Sequence, residues 1–165
     1  MQKMKTMFAL AAALTVSGAT GAMAADATGT ANATIAAAIT IAQTTQMSFG
    51  SVSPSATQAG TVVLAAAGTT TDSNVTRLSG ASAAAGTFTV EGANSATYAV
   101  TLPSTAVTLT SGANSMTATT FTTNATGTLS GSGSEVFGVG ATLNVGAAQA
   151  SGSYSGNYTV TVNYN

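Results

Sequence analysis

Cysteine, histidine and tryptophan are absent from this chain, and among its 165 residues only three are basic and four acidic. Without cysteine there is no disulfide framework, no thiolate nucleophile and no thiolate metal site. Without histidine the commonest general base and metal ligand is missing. Charged residues are 4% of the chain, against about a quarter in ordinary domains. Their place is taken by Thr, Ser, Gly, Ala and Asn. Disorder usually follows from high net charge with few apolar residues, whereas Val, Ile, Leu, Phe and Tyr recur here at regular intervals, so the chain is expected to fold. Thr and Val lose side-chain freedom in helices and pack well on pleated sheets, which points to strands.

The amino terminus carries Lys3 and Lys5 before an apolar run from Met7 to Val16, the arrangement of a secretory signal peptide. Ala22-Met23-Ala24 supplies a small-x-small cleavage site, so residues 1–24 are assigned as signal peptide, with a cut after Ala25 as the rival. A membrane anchor needs about 20 apolar residues, and this run breaks at Ser17-Gly18. No other apolar segment is long enough to span, so no transmembrane segment is expected in the mature chain. Cleavage removes both lysines. It leaves Arg77 against Asp26, Asp72, Glu91 and Glu135, and one positive charge less four negative gives −3. A single arginine cannot neutralise a phosphate backbone, so nucleic acid is rejected as a partner.

After a leader over residues 25–30, apolar and polar positions alternate. Ala31, Ala33, Ile35, Ala37, Ile39 and Ile41 fall on one face of a predicted strand, Ala31 to Ile41. Met47, Phe49, Gly50 and Pro54 mark a turn, followed by predicted strands at Thr61–Ala65, Val75–Leu78, Thr87–Val90, Tyr98–Leu102, Val107–Leu109, Met116–Phe121 and Val136–Val145. Ala67 to Asn74 reads as a loop. The last segment alternates most clearly, with Tyr158, Val160, Val162 and Tyr164 apolar against Asn157, Thr159, Thr161 and Asn163. Many short strands with turn signals every ten residues or so predict a single all-β domain of 25–165, an antiparallel Ig-like β-sandwich.

Several of these segments carry a resemblance: Ala33-Thr34-Ile35 through Ile41, Met47 to Ser51 followed by Pro54, Gly86 to Val90, Tyr98 to Pro103, Val139 to Gly146, and the terminal Gly152 to Asn163. Together they resemble the bacterial exported family named domain of unknown function 4402. The resemblance implies a secreted Ig-like sandwich and no activity. More distantly, the ending is similar to spore-coat-U-like and archaic chaperone-usher pilus subunits, many of which have cysteines that this chain lacks.

The remaining polar residues give thin chemistry. Glycosidases need two carboxylates roughly 5 to 10 Å apart, and Glu91 with Glu135 is the only glutamate pair; the plainer reading is two solvated charges. Asp72 and Asn74 could hold calcium through oxygens, or could simply form a turn. Gly131-x-Gly133 and Gly138-x-Gly140 lack the third glycine and the helix of a phosphate loop. Arg77 is expected to pair with a carboxylate or stay solvated. With no mature lysine, Lys-Asn isopeptide bonds cannot form. The chain is therefore read as non-enzymatic, with no catalytic, cofactor or metal residues assigned.

An uncharged sandwich lacks the lysines that monomeric proteins use to guard sheet edges. The expected role is an exported, cell-surface or fimbria-like structural subunit, with self or homologous subunits as partners. Ile35, Ile39 and Ile41 anchor the candidate assembly strand, which either pairs within its own sandwich or is donated to a neighbour. Tyr158, Val160, Val162 and Tyr164 form the core of the carboxyl-terminal strand. The alternative is a monomeric adhesin that recognises a glycan or surface protein through its loops, which would expose aromatic side chains.

Overall fold

The computed structural model describes residues 24–165, so the signal peptide assigned to residues 1–24 lies outside the described residues but for Ala24. Every regular element among those residues is a strand: β1 Thr40–Thr45, β2 Val52–Pro54, β3 Gly60–Leu64, β4 Thr70–Ser73, β5 Val75–Arg77, β6 Gly86–Glu91, β7 Tyr98–Thr101, β8 Val107–Ser111, β9 Asn114–Thr123, β10 Ser134–Val145 and β11 Thr161–Tyr164. All strand pairs are antiparallel. Seven strands make one sheet with the path β1-β6-β10-β3-β4, while β9 pairs β10 and β8. Two ribbons, β7–β11 and β2–β5, stand apart from it. The result is the all-β sandwich expected of the alternating pattern.

The 12-residue β10 organises the sheet. Ser134–Val139 pair with β6, Ala141–Val145 with β3, and Val139–Asn144 with β9. Because residues 142–144 pair with β3 and β9 together, and Val139 with β6 and β9 together, β6 and β3 share one edge of β10 in succession. Gly138 and Gly140 permit the exchange. A methyl at either would collide with the carbonyl oxygens of Ala66 and Leu64, so the chain leaving β3 lies directly on the β10 backbone there. Side chains alternate across a strand, which places these glycines on the face of the exposed Val136, away from Phe137 and Val139.

Two apolar clusters follow. Phe88, Val90, Phe137 and Val139 from β6 and β10 are buried with Tyr98, Leu129 and Val162, so the β7–β11 ribbon covers this half of the sheet. Phe88 and Phe137 are directly opposite in the ladder, and their rings stack at 5.9 Å. In the other half Val62, Leu143 and Val145 are buried, with Phe49, Val52, Val75, Leu109 and Met116 only partly covered. The cover on this half is the short β2–β5 ribbon.

Several strand ends differ from the sequence reading by one or two residues, and the turn read at Gly50 and Pro54 holds the short strand β2. The first strand starts at Thr40 and not at Ala31, because the ladder begins where Thr40 meets Glu91 at the end of β6. Alternation alone supplies no hydrogen-bonding partner to residues 31–38. The predicted loop Ala67–Asn74 contains β4, an edge strand that pairs with β3 through its backbone. Its Thr-Thr-Asp-Ser side chains are mostly exposed, so it has no apolar alternation to read. Asn74, at φ 52°, then redirects the chain into β5. Finally, the ladder of the last strand covers only Thr161–Tyr164, although the buried-exposed alternation begins at Asn157.

Alanine at Gly138 or Gly140 meets backbone atoms that no rotamer change can move, so each is expected to cost about 3 kcal/mol or to prevent folding. Gly131, with open space around it, should tolerate alanine within about 0.5 kcal/mol. Urea unfolding of the three variants checks this.

Candidate assembly site

The carboxyl-terminal strand crosses the sandwich and fastens both ends of β6. Added methyl groups at Gly86 and Gly92 would strike the hydroxyls of Tyr158 and Tyr164 respectively, so each tyrosine sits where a side chain is missing. The two glycines and the two tyrosines have the same spacing, six residues, and strand residues six apart face the same way. Tyr158 packs edge-on to Phe88 at 6.1 Å and against Phe121 at 5.5 Å, and its hydroxyl accepts a hydrogen bond from Gln43 at 3.4 Å. Burial raises its pKa, an effect the Gln43 bond partly offsets. The Tyr164 hydroxyl accepts the Ala93 N–H at 2.6 Å and donates to the Ala37 carbonyl at 2.8 Å. That second bond fixes the chain two residues before Ile39.

Preceding this clasp, residues 24–38 form no strand and are exposed. Ile35 is 96% exposed, the most exposed of the large apolar side chains among the described residues. Ile39 and Ile41, in contrast, pack against the first apolar cluster together with Tyr158, Val160 and Tyr164. Of the candidate assembly residues, Ile39 and Ile41 thus belong to the chain's own core, along with the carboxyl-terminal set, and Ile35 stands alone.

A groove of about 940 Å³ opens over the less covered half of the sheet. Val107, Leu109, Met116, Phe121, Leu143 and Val145 line its apolar floor, and the segments Gln46–Pro54 and Gln149–Tyr158 border it. No charged residue lines it. The border Gln149–Tyr158 is held to β8 where Ser155 and Thr110 exchange a pair of backbone bonds at 2.9 and 3.1 Å, while Gln149 donates to the Ser115 carbonyl at 3.1 Å and to the Tyr154 hydroxyl at 2.8 Å, which in turn donates to the Ala150 carbonyl at 2.7 Å. The groove lies where the second layer is interrupted, between the β2–β5 ribbon and the segment leading into β11.

Asp72, Arg77 and Glu135 form clasps elsewhere. The register sets Glu91 opposite Ser134 and Glu135 opposite Val90, which puts the two glutamates on opposite faces of the sheet. They cannot flank one substrate. Glu135 faces inward, where its carboxylate accepts the Thr126 N–H at 2.6 Å, the Tyr98 hydroxyl at 2.8 Å and the Thr126 hydroxyl at 3.0 Å. Burial alone would raise its pKa, but these donors outweigh that and hold it below the ordinary carboxylate value. Burial, then the neighbouring Glu135, pushes the Tyr98 phenol upward. Asp72 is held by Arg77 through two bonds of 2.6 and 2.8 Å, and Arg77 also donates to the Phe49 carbonyl at 2.9 Å. Asn74 turns away from Asp72 and donates to the Ala59 carbonyl at 3.2 Å.

Sequence reasoning missed the groove floor. Val107, Leu109 and Met116 were legible as strand residues, but the break in the layer opposite them is a property of distant segments. A local signal existed in the stretch Gly146 to Gly156, a long polar interval where a covering strand would be expected.

Among protein families, the one described as Domain of unknown function (DUF4402) matches residues 39–164. The match opens one residue before β1 and closes on the last residue of β11, so it covers the sandwich and not the exposed stretch before it. No curated protein matches the chain, and no solved structure does.

Two outcomes follow from the clasps. A carboxylate whose folded pKa is depressed stabilises the fold above its unfolded pKa of about 4.3, and that contribution is lost as pH falls through the folded value. Thermal unfolding midpoints should therefore drop below about pH 4 more steeply in the native protein than in Glu135→Gln. Tyr164→Phe leaves the Ala93 N–H and the Ala37 carbonyl without this partner, at a cost of about 1 kcal/mol. Faster hydrogen exchange at the Ala93 amide would register it.

Proposed function

We propose that this chain, which belongs to the DUF4402 family of domains of unknown function, is an exported structural protein whose copies associate through β-strand pairing. The observation that carries this reading is the stretch before β1. It alternates like a strand, has no charge from Ala27 to Thr45, leaves Ile35 in solvent and makes no ladder of its own until Thr40. A free strand of this kind is what edge addition requires, with backbone bonds giving affinity and alternate side chains giving register.

The sheet edges support the same reading. β1 pairs only with β6, its side chains are uncharged, and nothing resembling an edge lysine guards it. Of the other outer strands, β4 carries Asp72, already tied to Arg77, and β8 is bridged at Thr110 to Ser155. The proposed secretion is supported by the signal-peptide pattern of residues 1–24, and the compartment it implies is the periplasm, the cell surface or the medium outside the cell. A glycan-binding adhesin would present aromatic faces to solvent. The large apolar side chains that are exposed are Ile35, Val63, Leu78 and Val136, none of them aromatic.

Size-exclusion chromatography and electron microscopy of the protein starting at Ala25 test the proposal. Assemblies that grow with concentration are expected. A variant lacking residues 25–36 should keep its β-type circular dichroism and run as a monomer. A full-length protein that is monomeric at every concentration overturns the reading.

A further inference from the structure

From the break in the second layer, we infer that the groove over β8 and β9 is the receptor for the stretch Ala31–Ala37 of a second copy, with Ile35 seated on Leu109 and Met116. This rests on the assembly reading above and names its two contact surfaces.

In the ladder with β6, Thr40 lies opposite Glu91 and Gln43 opposite Phe88, so β1 runs from the Glu91 end of the sandwich toward the Gly86 end. The stretch before β1 therefore leaves at the Glu91 end, where Tyr164 holds Ala37. The groove lies at the other end. Leu143 in its floor is nine residues along β10 from Ser134, the partner of Glu91, which is roughly 30 Å of strand at 3.3 Å per residue. Ile35 is only two residues from the clasp at Ala37, a reach of about 7 Å. It cannot enter its own groove while that clasp holds. A second copy has no such restriction.

Chemistry matches as well. The groove has an apolar floor and uncharged polar borders, and Ala31–Ala37 offers one large apolar side chain among small ones and no charge. A strand lying between the β2–β5 ribbon and Asn157–Tyr158 would fill the interruption in the second layer. Seven residues span roughly 23 Å, longer than the five-residue β8 over which it would lie. The donating and receiving surfaces are different and lie at opposite ends, which makes the contact head-to-tail. Contacts of that type build open filaments unless the rotation closes a ring.

The absence of cysteine makes the test direct. Ile35→Cys combined with Leu109→Cys in the full mature chain, oxidised with copper phenanthroline, should give a ladder of trimers and higher species on a non-reducing gel. Either substitution alone should stop at dimers. Because Leu109 is partly buried, Ile35→Cys with Met116→Cys serves as the second pair, and unfolding midpoints verify that both variants fold. Ile35→Asp, which would carry a charge into the groove, should raise the concentration for half-assembly at least tenfold.

A fast-migrating monomer with an internal link would mean that the chain fills its own groove, and overturns the inference. Assemblies that persist while neither pair cross-links would also overturn it, yet would leave strand-paired assembly standing. A chain monomeric throughout removes both.

Discussion

The contact of the Leu64 and Ala66 carbonyls with Gly138 and Gly140 sets the geometry of everything else. A strand edge has room for one neighbour at each point along its length. β10 gives the same edge first to β6 and then to β3, and that succession requires β3 to leave the edge before β6 takes it up. The departing chain lies against the β10 backbone, which only residues without a Cβ permit. Close packing forbids any compromise, since protein interiors have no slack on the scale of a methyl group. From this crossing come two half-sheets, each needing a covering layer.

Those layers are unequal, for reasons that lie in the side chains available. Over β6 and the first half of β10, the β7–β11 ribbon contributes Tyr98 and Val162, and Tyr158 and Tyr164 span the gap to the glycines that bracket β6. Aromatic area and satisfied hydroxyls make this half self-sufficient. Over the second half, the three-residue strands β2 and β5 cover little, and around the buried Val62, Leu143 and Val145 the side chains of Phe49, Val52, Val75, Leu109 and Met116 are only partly covered. A partly covered apolar floor is a standing gain in free energy for whatever seals it, at about 25 cal/mol for each Å² removed from water. Low charge fits the same logic, because a charge on either surface would have to be stripped of water on association.

The polar clusters are structural in character. Glu135 ties the Thr126 turn to Tyr98, and the Asp72–Arg77 pair ties β4 and β5 to the Phe49 carbonyl. Glu135, Asp72 and Arg77 each hold a turn or strand against the sheet, which agrees with the sequence expectation that Arg77 finds a carboxylate. The calcium alternative for Asp72 and Asn74 meets a specific obstacle, since Asp72 already faces Arg77 and Asn74 faces Ala59.

Local pattern determined much of this protein. Apolar and β-branched runs between turn residues located β3, β6 and β10, and period-two alternation located β7 and gave the inward faces of Tyr98 and Val162, because burial on one face of a strand is written in every second residue. It also marked Ile35, Ile39 and Ile41 as one stripe. Only the tertiary structure divided that stripe, assigning Ile39 and Ile41 to the core and Ile35 to solvent, because a strand exists where a neighbouring backbone meets it and not where its own side chains alternate. The same holds for β4, which has a partner but no apolar face, for the opposed faces of Glu91 and Glu135, which depend on register, and for the groove, which is bordered by segments a hundred residues apart in the chain. Hydrogen-bond pairing between distant segments is invisible to composition and periodicity, and in this fold it decides which apolar residues are core and which are left for a neighbour.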